Sequence, residues 1–303
     1  MKNINICYTC DNNYAVYTGV SIASILKNSK EDESLHFFII ESCISDENKQ
    51  KILNLKKIKN FEITFIRVDE SEFKEFTCIK TTNYLPAASF YRLKIPALVR
   101  NVDKILYLDP DTIVNKSLAD LYDTDIENYI MGGVFDIGYK KLGKRIGLKG
   151  NEFYINSGVL LINLKKCREE NFEEKLIQCA KENMDIFILG DQDLINKCYA
   201  GQILHLSGKW NVQVVNLCSR SDYSQNFNIL HYTGGAKPWK SGSYIPLKKY
   251  YFEYLKYTDW ESPDKLWHLK SNIKGAFLYL KHRPLFMFRP GFYKSLIGMI
   301  LKK

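Results

Sequence analysis

The chain opens on an apolar run at residues 4–8, which predicts a buried strand, closed by the turn-forming cluster Thr9-Cys10-Asp11-Asn12-Asn13. Between residues 14 and 26 the apolar positions Val16, Val20, Ile22, Ala23 and Leu26 recur at helical spacing. Residues 35–40 predict a second strand. Ser45 opens a polar helix to about residue 59, with Ile52 and Leu55 on its inner face, and residues 61–68 alternate as a third strand. Strand, helix, strand, helix, strand is the pattern of a parallel sheet flanked by helices. Such sheets bind ligands beyond the carboxyl ends of their strands, where Asp11-Asn12-Asn13 stands.

Further along, residues 89–98 read as helical and carry Arg92. Residues 104–108 form a strand that runs directly into Asp109-Pro110-Asp111. Residues 129–135 predict a strand followed by Asp136, and residues 154–164 a long apolar segment containing Asn156-Ser157-Gly158. A helix over about 166–183 follows. Asp191-Gln192-Asp193 caps another, and Gly234-Gly235 marks a turn after His231. No repeat or linker interrupts the chain before about residue 250, so residues 1–250 are expected as one domain and 251–303 as a C-terminal segment.

Composition sharpens this picture in three places. The 303 residues, 46% hydrophobic and 25% charged, are those of a folded globular protein. The net charge of +9 is entirely local. Residues 265–303 carry nine Lys or Arg and no acid, which leaves 34 basic and 34 acidic residues in a neutral body. A neutral body argues against nucleic acid as a partner. The basic tail, rich in aromatic residues and broken by Pro284, Pro290 and Gly291, is expected as short amphipathic pieces on an anionic membrane surface, each basic residue adding about 1 kcal/mol. The eight cysteines, at 7, 10, 43, 78, 167, 179, 198 and 218, show no disulfide framework, and the Cys7–Cys10 pair sits in an apolar strand. Reduced thiols, no signal peptide after Met1 and no membrane span predict a cytoplasmic, peripherally attached protein.

Two clusters carry chemistry. Two carboxylates at the exit of a buried strand repel each other, and a hard divalent cation, manganese or magnesium, relieves the conflict while bridging phosphate oxygens. A surface turn would also tolerate two solvated acids, so Asp109 and Asp111 alone do not decide. The segment from His231 to Trp239 adds an imidazole able to ligate the metal, Gly234 for close approach to phosphate, and Lys237 to neutralise a leaving diphosphate.

Taken in order, Asp11-Asn12-Asn13-Tyr14, Tyr91-Arg92-Leu93-Lys94, Asp109-Pro110-Asp111, the run from Asn156-Ser157-Gly158 to Asn163, Asp191-Gln192-Asp193 and His231…Gly234…Lys237-Pro238-Trp239 resemble glycosyltransferase family 8 over about four fifths of the chain. The resemblance implies a nucleotide-sugar-binding α/β domain of the GT-A type, with a mixed, mostly parallel sheet. It implies retaining transfer of galactose or glucose from a UDP-sugar to a glycan acceptor, a lipooligosaccharide or lipopolysaccharide core or another surface glycan. A protein acceptor, or nucleotide-sugar binding without catalysis, is the alternative.

By the same resemblance, Asp11 and Asn13 would hold uracil, and Asp109, Asp111 and His231 the metal. Gly234 and Lys237 would contact the phosphates. Arg92, Asp136, Asn156, Ser157, Asp191 and Gln192 would surround the donor sugar, with Gln192 and Asp191 nearest the reacting carbon. Attack from the leaving-group side is favoured over a covalent intermediate. The chain departs from the family pattern at Asn12, at Ser157, and at Pro110, which removes a backbone donor beside the ribose. Residues 79–89 and 217–225, where the acceptor is expected, do not match.

Overall fold

A computed structural model describes residues 2–282 apart from 78–86, 150–151, 215–225, 236, 244 and 246. Its main sheet has seven strands: β1 (Lys2–Cys10), β2 (Glu33–Glu41), β3 (Glu62–Arg67), β4 (Lys104–Leu108), β6 (Met131–Phe135), β7 (Ile155–Asn163) and β8 (Ile203–His205), in the order β3-β2-β1-β4-β7-β6-β8. Alternation along β1 builds two cores. Ile4, Ile6 and Tyr8 pack with Ile22, Ala23, Ile25 and Leu26 of the helix Ala15–Asn28, while Cys7 faces the other side with Phe38, Tyr91 and Tyr107.

All neighbouring pairs are parallel except those of β7, which runs antiparallel to both β4 and β6. That reversal places the start of β7 at the carboxyl end of β4. The register Leu108↔Val159 continues into an Asp109 N–H to Gly158 carbonyl bond of 2.8 Å, so Asn156-Ser157-Gly158 lies beside Asp109-Pro110-Asp111. A second sheet, in the order β5 (Thr112–Val114), β10 (Ile229–His231), β9 (Val212–Gln213), does the same for the histidine. His231 pairs with Thr112, the residue after Asp111.

Several elements differ from their sequence expectation. Residues 89–98 are not one helix but 3-10 turns, Ala87–Ser89 and Tyr91–Lys94, before a short helix Ile95–Leu98 with Pro96 in its first turn, where the missing N–H does no harm. The helix expected over 166–183 divides into Leu164–Glu169 and Phe172–Asn183, because Asn171 between them takes a left-handed conformation (φ 53°). Asp191 is the first residue of the helix Asp191–Cys198 rather than its cap, and Gly190 (φ 54°) makes the turn into it.

The helix Lys249–Leu255 crosses residue 250 and buries Tyr251, Phe252, Tyr254 and Leu255 in a core shared with Val20 and Ile113. Residues 265–282 form one helix of 18 residues, Lys265–His282. Pro284, Pro290 and Gly291, the breaks expected there, lie outside the described residues.

Among the described residues the cysteines are free thiols. Burial pushes the Cys10 thiol up to about 12 and those of Cys7 and Cys167 higher still, which leaves them protonated and inert. Cys78 and Cys218 lie outside the described residues. No helix among the described residues is long and apolar enough to cross a membrane.

Candidate active site

Asp109, Asp111 and His231 present one ligand atom each within 4.8 Å of one another. The His231 Nε2 lies 3.2 Å from Asp111 Oδ1 and 3.6 Å from Asp109 Oδ2. Its Nδ1 is 3.0 Å from Asn211 Oδ1, while the Asn211 amide donates to Asn156 Oδ1 at 2.9 Å. That donation fixes the Asn211 oxygen as the acceptor for Nδ1–H, so the Nε2 lone pair points at the two carboxylates. Two oxygen donors and one imidazole nitrogen suit a hard divalent cation, and the donor set fits such an ion.

Lys237 reaches the same place from its loop. Its Nζ forms an ion pair with Asp111 Oδ2 and donates to the Tyr232 carbonyl at 2.7 Å. Burial alone would raise the Asp111 carboxyl. The Lys237 ammonium leads the groups that outweigh burial and hold it well below the usual carboxylate range.

Arg92 is the hub on the other side. Its guanidinium lies 2.9 Å from Asp109 Oδ1 and 3.2 Å from Asp191 Oδ2, donates to the Ser157 carbonyl at 2.7 Å, and sits 4.5 Å from the centre of the Tyr107 ring. Burial would lower its pKa, but Asp109 and Asp191 overcome that and hold it above the ordinary value. Asp191, itself buried, also accepts from Ser157 Oγ at 2.9 Å; burial raises its carboxyl while Arg92 works against the rise.

Next to it the Gln192 amide is engaged at both ends. Its oxygen accepts from Asn156 Nδ2 at 3.0 Å and Ser157 N–H at 3.2 Å, and its nitrogen donates to Asp136 Oδ2 at 3.2 Å. A single hydrogen-bonded chain thus runs from His231 through Asn211, Asn156 and Gln192 to Asp136.

The remaining expected residues stand at the rim. Asp11, at the end of β1, accepts from the Tyr14 N–H at 2.9 Å and starts the 3-10 turn Asn12–Tyr14, leaving Asn13 exposed. Asn12 turns away, its Oδ1 accepting from Ser45 N–H at 3.0 Å and Asn48 Nδ2 at 2.9 Å. Pro110 is buried between the two aspartates. Gly234 has φ 79° in the loop between His231 and Lys237. Trp239 stacks on Tyr17 at 3.6 Å, which fastens that loop to the helix Ala15–Asn28.

Sequence reasoning missed three residues here. Asn211 orients the imidazole, Tyr107 donates to Asp109 Oδ1 at 2.7 Å, and Gln213 brackets Asp136 by donating to the Phe135 carbonyl at 2.9 Å and accepting from the Ile137 N–H at 3.3 Å. Asn211 and Gln213 flank or form a two-residue strand, too short to leave a periodic trace.

The chain is 33% identical over 251 residues to a putative glycosyltransferase of Haemophilus influenzae, covering 78% of this chain and 73% of that one. It is 28% identical over 273 residues to the lipopolysaccharide 1,2-glucosyltransferase of Escherichia coli K12, covering 85% and 79%. Among solved structures, the galactosyltransferase LgtC in complex with donor and acceptor sugar analogues superposes with a TM-score of 0.76 at 26% identity, over 88% of this chain and 100% of that one. The model of glycosyl transferase family 8 matches residues 5–243, which span every element of the site just described, and the chain belongs to that family.

Proposed function

We propose that the protein transfers galactose or glucose from its UDP derivative, with retention, to a sugar of a lipopolysaccharide or lipooligosaccharide core or another surface glycan. The observation that carries this reading is the convergence of Asp109, Asp111 and His231 on one point, with Lys237 at its edge. Manganese or magnesium held by those three residues would neutralise the diphosphate of the donor as it departs.

The protein's own groups do the rest. Lys237 adds a positive charge for the phosphates, and Asp11 and Asn13 offer short polar groups to uracil. Arg92, Asp136, Asn156, Ser157, Asp191 and Gln192 supply the donors and acceptors that sugar hydroxyls need. Gln192 is tied at both ends of its amide, itself a poor nucleophile, while Arg92 and Ser157 both hold Asp191 by its Oδ2. That supports attack from the leaving-group side, with a phosphate oxygen of departing UDP taking the acceptor's proton.

The first test is UDP release from UDP-galactose, UDP-glucose and other UDP-sugars. Release is expected from one of the two hexose donors, to be lost with a chelator and restored by manganese or magnesium. A protein indifferent to every UDP-sugar in the presence of either metal would refute the reading.

The helix Lys265–His282 supports a place on the cytoplasmic face of the membrane. It docks through Trp267, whose ring lies 5.9 Å from that of Phe252, and through small and polar residues. Ser271 Oγ accepts from Gly242 N–H at 3.0 Å, Lys248 Nζ donates to Asn272 Oδ1 at 2.7 Å, and His268 meets Phe252 edge-on at 4.5 Å. A methyl on Gly275 would come within 3.1 Å of the Gly242 and Ser243 carbonyls. The apolar stripe faces outward, with Leu266 54%, Leu269 44%, Ile273 51% and Phe277 68% exposed, beside exposed Lys265, Lys270 and Lys274. This inverts the usual orientation of an amphipathic surface helix and suits insertion into an anionic interface.

The double variant Leu269→Asp/Ile273→Asp is expected to lower partition onto phosphatidylglycerol vesicles at least about tenfold, at 1.5–3 kcal/mol per buried side chain, and to leave UDP release intact. Undiminished vesicle binding would overturn the membrane reading of the stripe.

A further inference from the structure

We propose that Asn48 and Trp260 are positioning residues for the base of the donor nucleotide, acting through Asn12. The inference rests on the reading above, in which Asp11 and Asn13 offer their polar groups to uracil. Asn12, between them, turns instead toward the helix Asp46–Leu53 and its cap, Ser45. The Asn12 Oδ1 accepts from the Ser45 N–H at 3.0 Å and from Asn48 Nδ2 at 2.9 Å, and the Asn12 carbonyl accepts from the Ala15 N–H. On the far side of Asn48, the Trp260 indole N–H donates to Asn48 Oδ1 at 3.1 Å. The groups at the two ends, an indole N–H and a backbone N–H, can only donate, so each amide has a single orientation. The bonds run unbroken from Trp260 through Asn48 to Asn12.

Three observations tie this relay to the site. The first is that Trp260 is itself fixed. Its ring lies against Gly19, inside the helix Ala15–Asn28, where a methyl would come within 2.3 Å of it. Its neighbour Asp259 accepts from Asn54 Nδ2 at 2.6 Å and pairs with Lys57. The second is that the 3-10 turn Asn12–Tyr14 adjoins the metal set. Burial, and then the charges of Asp111, Asp11 and Asp109, push the Tyr14 hydroxyl up. The Tyr14 ring meets Tyr17 edge-on at 5.2 Å, and Tyr17 stacks on Trp239 of the Lys237 loop. The turn is therefore held on the diphosphate side by Tyr14 and on the other by Asn12. Short polar side chains on a three-residue turn select a base only when the turn keeps one geometry. The third is that Trp260 lies beyond residues 5–243, where the family model matches, so the family pattern does not account for it. Asn12, where the chain also departs from that pattern, uses its Oδ1 purely as an acceptor, which a carboxylate would do equally well.

The experiment measures the dissociation constants of UDP and of inorganic pyrophosphate by calorimetry, each with manganese. Asn48→Asp keeps the acceptor for Trp260 and loses the donor to Asn12. It and Asn12→Ala are expected to weaken UDP about five- to tenfold and to leave pyrophosphate within about twofold. Asn12→Asp is expected to bind UDP as the parent does. Trp260→Phe, which keeps an aromatic ring against Gly19 and loses the N–H, should weaken UDP about threefold. A general loosening of the fold would weaken both ligands together. An equal loss of pyrophosphate in Asn48→Asp and Asn12→Ala, or unchanged UDP affinity in those two variants, would thus overturn the relay and leave the donor reading in place. A parent that held pyrophosphate as tightly as UDP would overturn the uracil reading, and the relay with it.

Discussion

Asp111→Asn is expected to cut UDP release from the active UDP-hexose by about a thousandfold, the scale on which removal of one charge-stabilising group from a water-poor site acts. The side chain keeps its shape and loses its charge at the point where three groups converge. Asp111 is 8% exposed, faces His231 Nε2 at 3.2 Å, and pairs with Lys237. With the carboxylate neutral, the metal loses one of two anionic ligands, and the Lys237 ammonium is left beside the Tyr232 carbonyl without its counter-charge.

The loss should fall on turnover and metal affinity together, not on folding. The Asp111 carbonyl still accepts from Tyr232 N–H at 3.0 Å, and the pairing of Thr112 with His231 does not involve the side chain. Steady-state release across a manganese titration, with circular dichroism as the control for folding, measures both. A variant within tenfold of the parent at saturating manganese would mean that Asp111 does not hold the cation.

How far the site was legible in the sequence follows from which forces leave a periodic trace. Strands β1, β2, β3 and β4 are runs of apolar residues feeding two cores, and their positions were readable to within a few residues. The side chains of the site, Asp109, Asp111 and His231 among them, were readable through six motifs in order that resemble family 8, whether or not the distance between them is known. The distance itself was not readable. It depends on β5, β9 and β10, two or three residues each, and on the reversal of β7, a property of tertiary pairing that no local pattern carries.

Arg92 shows the same limit from the other direction. The structure has it paired with Asp109 and Asp191 at once, so the pair is also what presents both carboxylates to the pocket. The split of residues 89–98 into 3-10 turns serves that placement, because the Arg92 Nε donates back to the Ser89 carbonyl at 2.9 Å.

Gly158→Ala should disable the metal site without unfolding the protein. Gly158 sits in β7 opposite Asp109, and an ideal methyl there would lie 2.2 Å from His231 Cε1 and 2.5 Å from Asp109 Oδ2. Neither neighbour can step aside cheaply. The imidazole is held by Asn211 at its Nδ1 and by its place at the end of β10, and Asp109 is held by Arg92 and Tyr107 at its other oxygen. Relief has to come from moving the two ligands apart, and with them the point they share with Asp111.

Overpacking of this kind costs roughly 1–3 kcal/mol of stability, a shift of a few degrees in Tm for a domain of this size. The disruption of ligand geometry is the larger effect. We expect manganese affinity to fall at least about a hundredfold, beyond the loss typical of an altered supporting residue, and UDP release to fall with it. Electron paramagnetic resonance of bound manganese, in the presence of UDP, reads the affinity directly. If the alanine variant bound manganese as tightly as the parent, then Asp109 and His231 would not be jointly engaged by one ion, because no position for the methyl leaves both side chains where they stand.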